Sequence, residues 1–338
     1  MKKHCFIYLI VLNFLMFSCS AFAQPNPSLK IIKTFPIKSN NWWDYIAVSP
    51  VTDYLYVSHG TQVNILDKNT GDSVGVIPNT KGVHGIAFAP EFNKGFTSNG
   101  GLNTVTVFDI KTNKVLDSIK TGENPDAIMY DPFLKKIITC NGRSKNLSVI
   151  DPAADSVVAT ISLSGKPETA VSDGAGKIYV NIEDKSEISC INIQTNTVEA
   201  SWSIAPGESP SGLAINKKTR RLFAGCDNKL LMIINADNGN VVTKLSIGDG
   251  CDGVAFDSTR NLIFSSNGDG TLTMIQEQSG NNYKVLDNIV TKRGARTCTV
   301  DQQTHQIFLP TAELDQLNEG QRPKMKPGTF QVLVVGEK

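Results

Sequence analysis

The sequence predicts an all-β chain folded as a seven-bladed β-propeller, and three observations carry that prediction. The stretch "TSNGGLNTVTVFDIKTNKVL" (97–116) returns 42 residues later as "TCNGRSKNLSVIDPAADSVV" (139–158). A repeat of that length is one supersecondary unit used again, not a turn and not a domain. Each copy holds four short runs rich in β-branched residues, punctuated by Asn, Asp, Gly and Pro, as in a propeller blade. Finally, the last copy ends one run short, and a spare run precedes the first.

In chain order, the opening "MKKHCFIYLIVLNFLMFSCSAFAQ" has a basic start, an apolar stretch and a small-x-small site at Ala21-Phe22-Ala23. This is the pattern of a secretory signal peptide over residues 1–23, with cleavage expected after Ala23. Met16-Phe17-Ser18 makes a poor approach to lipidation at Cys19. The expected product is exported, periplasmic or secreted, with residues 24–338 as one propeller domain, no membrane span and a monomeric state. Removing Lys2 and Lys3 brings 33 basic and 32 acidic residues to within one charge of neutrality. A near-neutral chain without a basic run is not the footprint of a nucleic-acid binder.

Residues 28–41, "SLKIIKTFPIKSNN", match the fourth run of other blades and should complete the last one, closing the ring. Seven starts follow: "DYIAVSP" at 44, "HGIAFAP" at 84, "DAIMYDP" at 126, "ETAVSDG" at 168, "SGLAINK" at 211, "DGVAFDS" at 252 and "RTCTVDQ" at 296. Second runs include "KGFTS" and "KIITC", and third runs "VTVFD" and "LSVID". The seventh blade carries a long insertion at 311–328 with Glu313, Asp315, Glu319, Arg322, Lys324 and Lys326, expected to open at the channel mouth. Five cysteines remain after cleavage, without a CxxC spacing. Most should be unpaired, with Cys226 and Cys251 the pair to watch, since both map to one face of adjacent blades.

The stretches "TSNGGLNTVTVFDIKTNKV", "TCNGRSKNLSVIDPAADSV" and "GENPDAIMYDP" resemble the YVTN-repeat, YncE-like class of exported seven-bladed propellers. The resemblance spans essentially the whole mature chain and implies the fold and export, with no particular activity attached. Blades 4 and 5 depart from it at "VNIEDKSEISCIN" and "AGCDNKLLMII".

Propeller geometry turns the repeat into a map. The leading residues Asp44, His84, Asp126, Glu168, Ser211, Asp252 and Arg296 should ring one mouth of the central channel, beside His59, Asn99, Asn141, Ile182, Cys226, Asn267 and Thr311 at the ends of the second strands. Every member of the first ring is polar, which suits a wet concavity better than a core. The candidate ligand-binding residues are therefore Asp44, His59, His84, Asp126, Glu168, Asp252 and Arg296. Two simpler readings stand beside this: Arg296 bridging Asp252 and Asp44 to lock closure, and the Asn-Gly pairs serving as left-handed turns. Tandem Trp42 and Trp43 can stack on a sugar or peptide, or pack on the closing strand. A zinc site from His59, His84, Asp44 and Asp126, or a calcium site from Asp126, Glu168 and Asp252, would need ligands a whole blade apart to converge, so neither metal nor cofactor is expected. We expect a non-enzymatic module binding a small molecule, glycan, peptide or protein. The alternative is a lactonase-like hydrolase or lyase with His84 or His59 as general base and no catalytic residue yet assignable.

Overall fold

Each run of the repeat forms a strand because β-branched and aromatic side chains fit a pleated, half-buried surface, while the Asp/Asn/Gly clusters between runs turn the chain. The computed structural model describes residues 27–279, 281–315 and 323–337. Their strands make seven four-stranded sheets, each antiparallel, as the sequence predicts. Two three-residue 3-10 turns are the helical elements among the described residues, and none of the helices there is long and apolar enough to cross a membrane. The signal-peptide and Cys19 expectations lie outside the described residues.

Blade 2 shows the logic. Its strands are Val83–Ala89 at the channel, then Lys94–Asn99, Thr104–Asp109 and, outermost, Val115–Lys120. The two middle strands are buried on both faces, because neighbouring blades cover them. The outermost strand is mostly exposed, with Ile119 its one buried residue. The turn after the third strand is set by Asp109, whose carboxylate accepts the Lys111 and Thr112 amides at 3.0 and 2.7 Å, while Asn113 takes the left-handed conformation. In blade 1 Asp67 does the same for Asn69 and Thr70, and Gly71 (φ 81°) supplies the positive φ.

The core is distributed between blades. Phe96, Val105 and Val107 of blade 2 meet Ile137 and Ile150 of blade 3, and Ile138 and Leu147 of blade 3 meet Ile178 and Val180 of blade 4. At the closure, Lys30–Pro36 pairs antiparallel with Gln331–Gly336, placing Ile31 opposite Val335 and Phe35 opposite Val332. Phe35, Phe330 and Val332 then pack on Leu55 and Val57 of blade 1. Lys30–Pro36 is thus the outermost strand of the last blade, which has four strands like the others. All five described cysteines are free thiols, Cys226 and Cys251 included.

Candidate functional site

The leading residues of the blades fall at one level of the channel. In blades 2 to 6 each is the second residue of its innermost strand: His84, Asp126, Glu168, Ser211 and Asp252. Asp44 and Arg296 come just before the shorter innermost strands of blades 1 and 7. In blades 2 to 6 the following residue is small (Gly85, Ala127, Thr169, Gly212 and Gly253), and at the glycines there is a steric reason. A Cβ on Gly212 would lie 2.6 Å from the Val254 nitrogen, and one on Gly85 2.8 Å from Ile128 Cγ2. Adjacent innermost strands therefore touch here, and leading residues one blade apart come within hydrogen-bonding reach. That convergence depends on how closely neighbouring strands pack, which the repeat pattern does not show.

Hydroxyls and amides fix the ring from behind. Ser58 accepts the Asp44 amide at 2.9 Å, and Thr297 donates to the Asp44 carbonyl at 2.6 Å. Ser98 of blade 2 donates to the Asp126 carbonyl of blade 3, and Ser266 of blade 6 to the Arg296 carbonyl of blade 7 at 2.6 Å. Asn181 does the same for Ser211 at 3.0 Å. In blades 2, 4 and 6 the residue before the end of the second strand thus clasps the next blade's leading residue, while Ser58 holds Asp44 of its own blade. The signal was the recurring Ser or Asn at that position in "VSH", "TSN", "VNI" and "SSN".

Three charge groups share the mouth. His84 Nδ1 lies 2.6 Å from Asp44 Oδ2 and 3.6 Å from Asp126 Oδ1. Burial opposes the imidazolium, but the hydrogen bond to Asp44 and the charges of Asp126 and Asp44 outweigh it and lift the His84 pKa to about 9. Arg296 pairs with Asp252, whose other oxygen accepts the Ser211 hydroxyl at 2.5 Å. Of the expected lock on closure, then, the Arg296–Asp252 half forms, and Asp44 turns to His84 instead. Glu168 is held by Lys166 at 2.6 Å, a cation two residues upstream that sequence reasoning passed over. Burial pushes the carboxyls of Asp126, Glu168 and Asp252 above the usual range. Tyr45, another residue the sequence reading did not single out, puts its phenol 3.2 Å from Thr169 Oγ1 across the channel, and burial with the charges of Asp126 and Asp44 raises its pKa.

The second ring is elsewhere. His59, Asn99, Asn141, Ile182, Cys226, Asn267 and Thr311 each end a second strand, and all are buried. Asn99, Asn141 and Asn267 are not left-handed turn residues; none has positive φ. Each instead accepts a hydroxyl two residues back and donates to the third strand. Asn141, for example, accepts from Thr139 at 2.8 Å and donates to Asn146 and Ser148 at 2.8 and 2.9 Å. Ile182 and Cys226 replace this ladder with apolar side chains, which accounts for the departure of blades 4 and 5 from the repeat. His59 is 1% exposed, takes Ser39 Oγ at 3.0 Å on Nδ1 and stacks on Phe330 with ring centroids 4.2 Å apart. Burial lowers its pKa to about 4. The structure does not bring it to His84.

Above the charged ring opens a cavity of about 750 Å³ lined by Trp42, Trp43, Asp44, His84, Arg293, Arg296, Leu314, Pro323 and Lys324, but not by His59. The tandem tryptophans divide the two roles considered for them. Trp43 is buried against Phe330 and donates from Nε1 to the Gly294 carbonyl at 3.3 Å, whereas Trp42 is 52% exposed on the cavity wall. Both flanks of the 311–328 insertion reach the mouth as a short ladder: Asp315 N–H donates to the Lys324 carbonyl and Lys326 N–H to that of Glu313, both at 2.8 Å. Glu319 and Arg322 lie outside the described residues.

No family model and no curated protein matches the chain. Solved structures do. The chain is similar to hydrazine synthase of Kuenenia stuttgartiensis, with a TM-score of 0.71 at 15% identity over 80% of this chain and 92% of that one. It is also similar to U3-55K, with a TM-score of 0.77 at 11% identity over 90% of this chain and 98% of that one. At such identities the likeness is one of fold alone.

Proposed function

We propose that this chain is an exported propeller of the YVTN-repeat, YncE-like class, and that it works as a non-enzymatic binding module. Its ligand enters the mouth cavity, laying a flat or apolar part on Trp42, Leu314 and Pro323 and turning polar groups toward His84, Asp44 and Arg296. One observation carries this reading: an exposed tryptophan and a fixed polar ring face each other across a cavity large enough for a disaccharide or a short peptide. Among the described residues His84 is engaged by two carboxylates, and no serine, threonine or cysteine side chain is bonded to it as a nucleophile would be. The signal-peptide pattern supports export, and the repeat stretches support the class.

A second reading has one observation in its favour. Buried carboxyls held partly protonated beside an imidazole are a possible acid–base set, as in a hydrolase or lyase acting from the same mouth. Differential scanning fluorimetry against disaccharides, aromatic amino acids and short peptides tests the binding reading. A ligand at 100 times its Kd should stabilise the protein by about 2.7 kcal/mol. If every stabilising compound acts equally on Trp42→Ala, the cavity is not the site.

A further inference from the structure

The geometry points to a divalent transition-metal site at the channel mouth, formed by Asp44, His84 and Asp126. These side chains come from three successive blades, and one ligand atom from each lies within 4.8 Å of the others. Nitrogen and oxygen ligands about 2.1 Å from one ion stand roughly 3.0–3.4 Å apart. The 2.6 and 3.6 Å separations of His84 Nδ1 from the two carboxylates bracket that spacing, so a small rotation of either aspartate completes the set.

Charge balance supplies the second, independent reason. Glu168 has Lys166, and Asp252 has Arg296. Asp44 and Asp126 share a single imidazole. Asp126 is the least satisfied member: its side chain is 13% exposed, the imidazole stands 3.6 Å away, and among the described residues no donor hydrogen-bonds to either carboxyl oxygen. A carboxylate so placed is costly unless a cation or a donor meets it. Serine and threonine hydroxyls already hold the backbone of Asp44 and Asp126, which is how outer partners keep metal ligands in place. The set is one imidazole nitrogen with two carboxylate oxygens. That mixture suits zinc or manganese better than calcium or magnesium, which have little use for the nitrogen. Asp44 and His84 also line the cavity, so the ion would keep an open position facing any ligand there. The inference goes beyond the binding reading, since an ion can occupy the triad with the cavity empty.

The test is isothermal titration of the purified, chelator-treated protein with zinc chloride and manganese chloride, with calcium chloride for comparison. One zinc per chain is expected. His84→Gln and Asp126→Asn should each lose more than the roughly 10–100-fold that altered outer partners cost, because they remove direct ligands. Glu168→Gln, on the same ring but outside the triad, removes a neighbouring charge but no ligand and should lose far less than either, and circular dichroism melts confirm that each variant is folded. No saturable one-to-one binding by the wild type, equal affinity in His84→Gln, an equal loss in Glu168→Gln, or calcium binding as tightly as zinc would overturn the site. Trp42→Ala should leave the zinc titration unchanged. A failed ligand screen with an intact zinc titration therefore sinks only the cavity reading, and the reverse result sinks only the metal.

Discussion

His84 and His59 lie in adjacent blades, in rings that the repeat sets side by side, and the fold gives them opposite chemistry. His84 sits between two carboxylates at the mouth and is held charged, with a pKa near 9. His59 lies behind the mouth, flat against Phe330, and burial drives it neutral, with a pKa near 4. The difference teaches that strand ends sharing one face of a propeller need not share one environment. Asp44, His84 and Arg296 of the first ring line the mouth cavity, whereas the second-strand ends are all buried. The second ring holds the blades, and the first carries the proposed site.

The largest expected effect belongs to the holding ring. Asn141→Ala would leave buried Thr139 and Ser148, and half-buried Asn146, without their shared partner. A loss of about 2–4 kcal/mol is expected from urea unfolding. A midpoint within experimental error of the wild type would show that the ladder is not what holds the blade.

Acid should come next in size. His59 binds its proton in the unfolded chain near pH 6.5 and in the fold only near pH 4. The unfolded state therefore takes up more protons between those values. The contribution of neutral His59 is complete above about pH 6.5 and falls as pH drops toward 4, by at most about 3 kcal/mol. Carboxylates titrate in part of the same window, so the difference between wild type and His59→Gln isolates it. Parallel pH profiles for the two proteins would place His59 in water and undo the contrast with His84.

Smaller still is the cost expected in the first ring. The double variant His84→Ala/Asp126→Ala removes the 3.6 Å pair from both sides but leaves Asp44 without its closer partner, so a loss of about 1–2 kcal/mol is expected. Trp42→Ala, at an exposed wall, should change stability by less than about 0.5 kcal/mol. Loss of several kcal/mol in either would make the mouth a structural brace.

The fold was legible because each run announces its strand by composition, and the missing run of blade 7 has an evident counterpart in Lys30–Pro36. The leading ring was legible for the same reason: the repeat aligns Asp44, His84, Asp126, Glu168, Asp252 and Arg296 residue for residue. Convergence across blades was not, since it depends on how closely Gly85 and Gly212 let neighbouring strands approach. Nor was the seclusion of His59, which depends on Phe330, nearly the whole chain away. The asparagines misled as turn residues because Asn-Gly signals a turn locally, while their hydrogen bonds are made across strands.

The most direct test of the mouth as the acting site is one fluorimetry experiment on two proteins, the wild type and His84→Ala/Asp126→Ala, against the same panel of disaccharides, aromatic amino acids and peptides. The expected result is two cooperatively folded proteins whose melting temperatures without ligand differ by no more than a few degrees, with at least one compound stabilising the wild type and failing to stabilise the variant. A variant that melts far below the wild type, or one that every active compound stabilises equally, would contradict it.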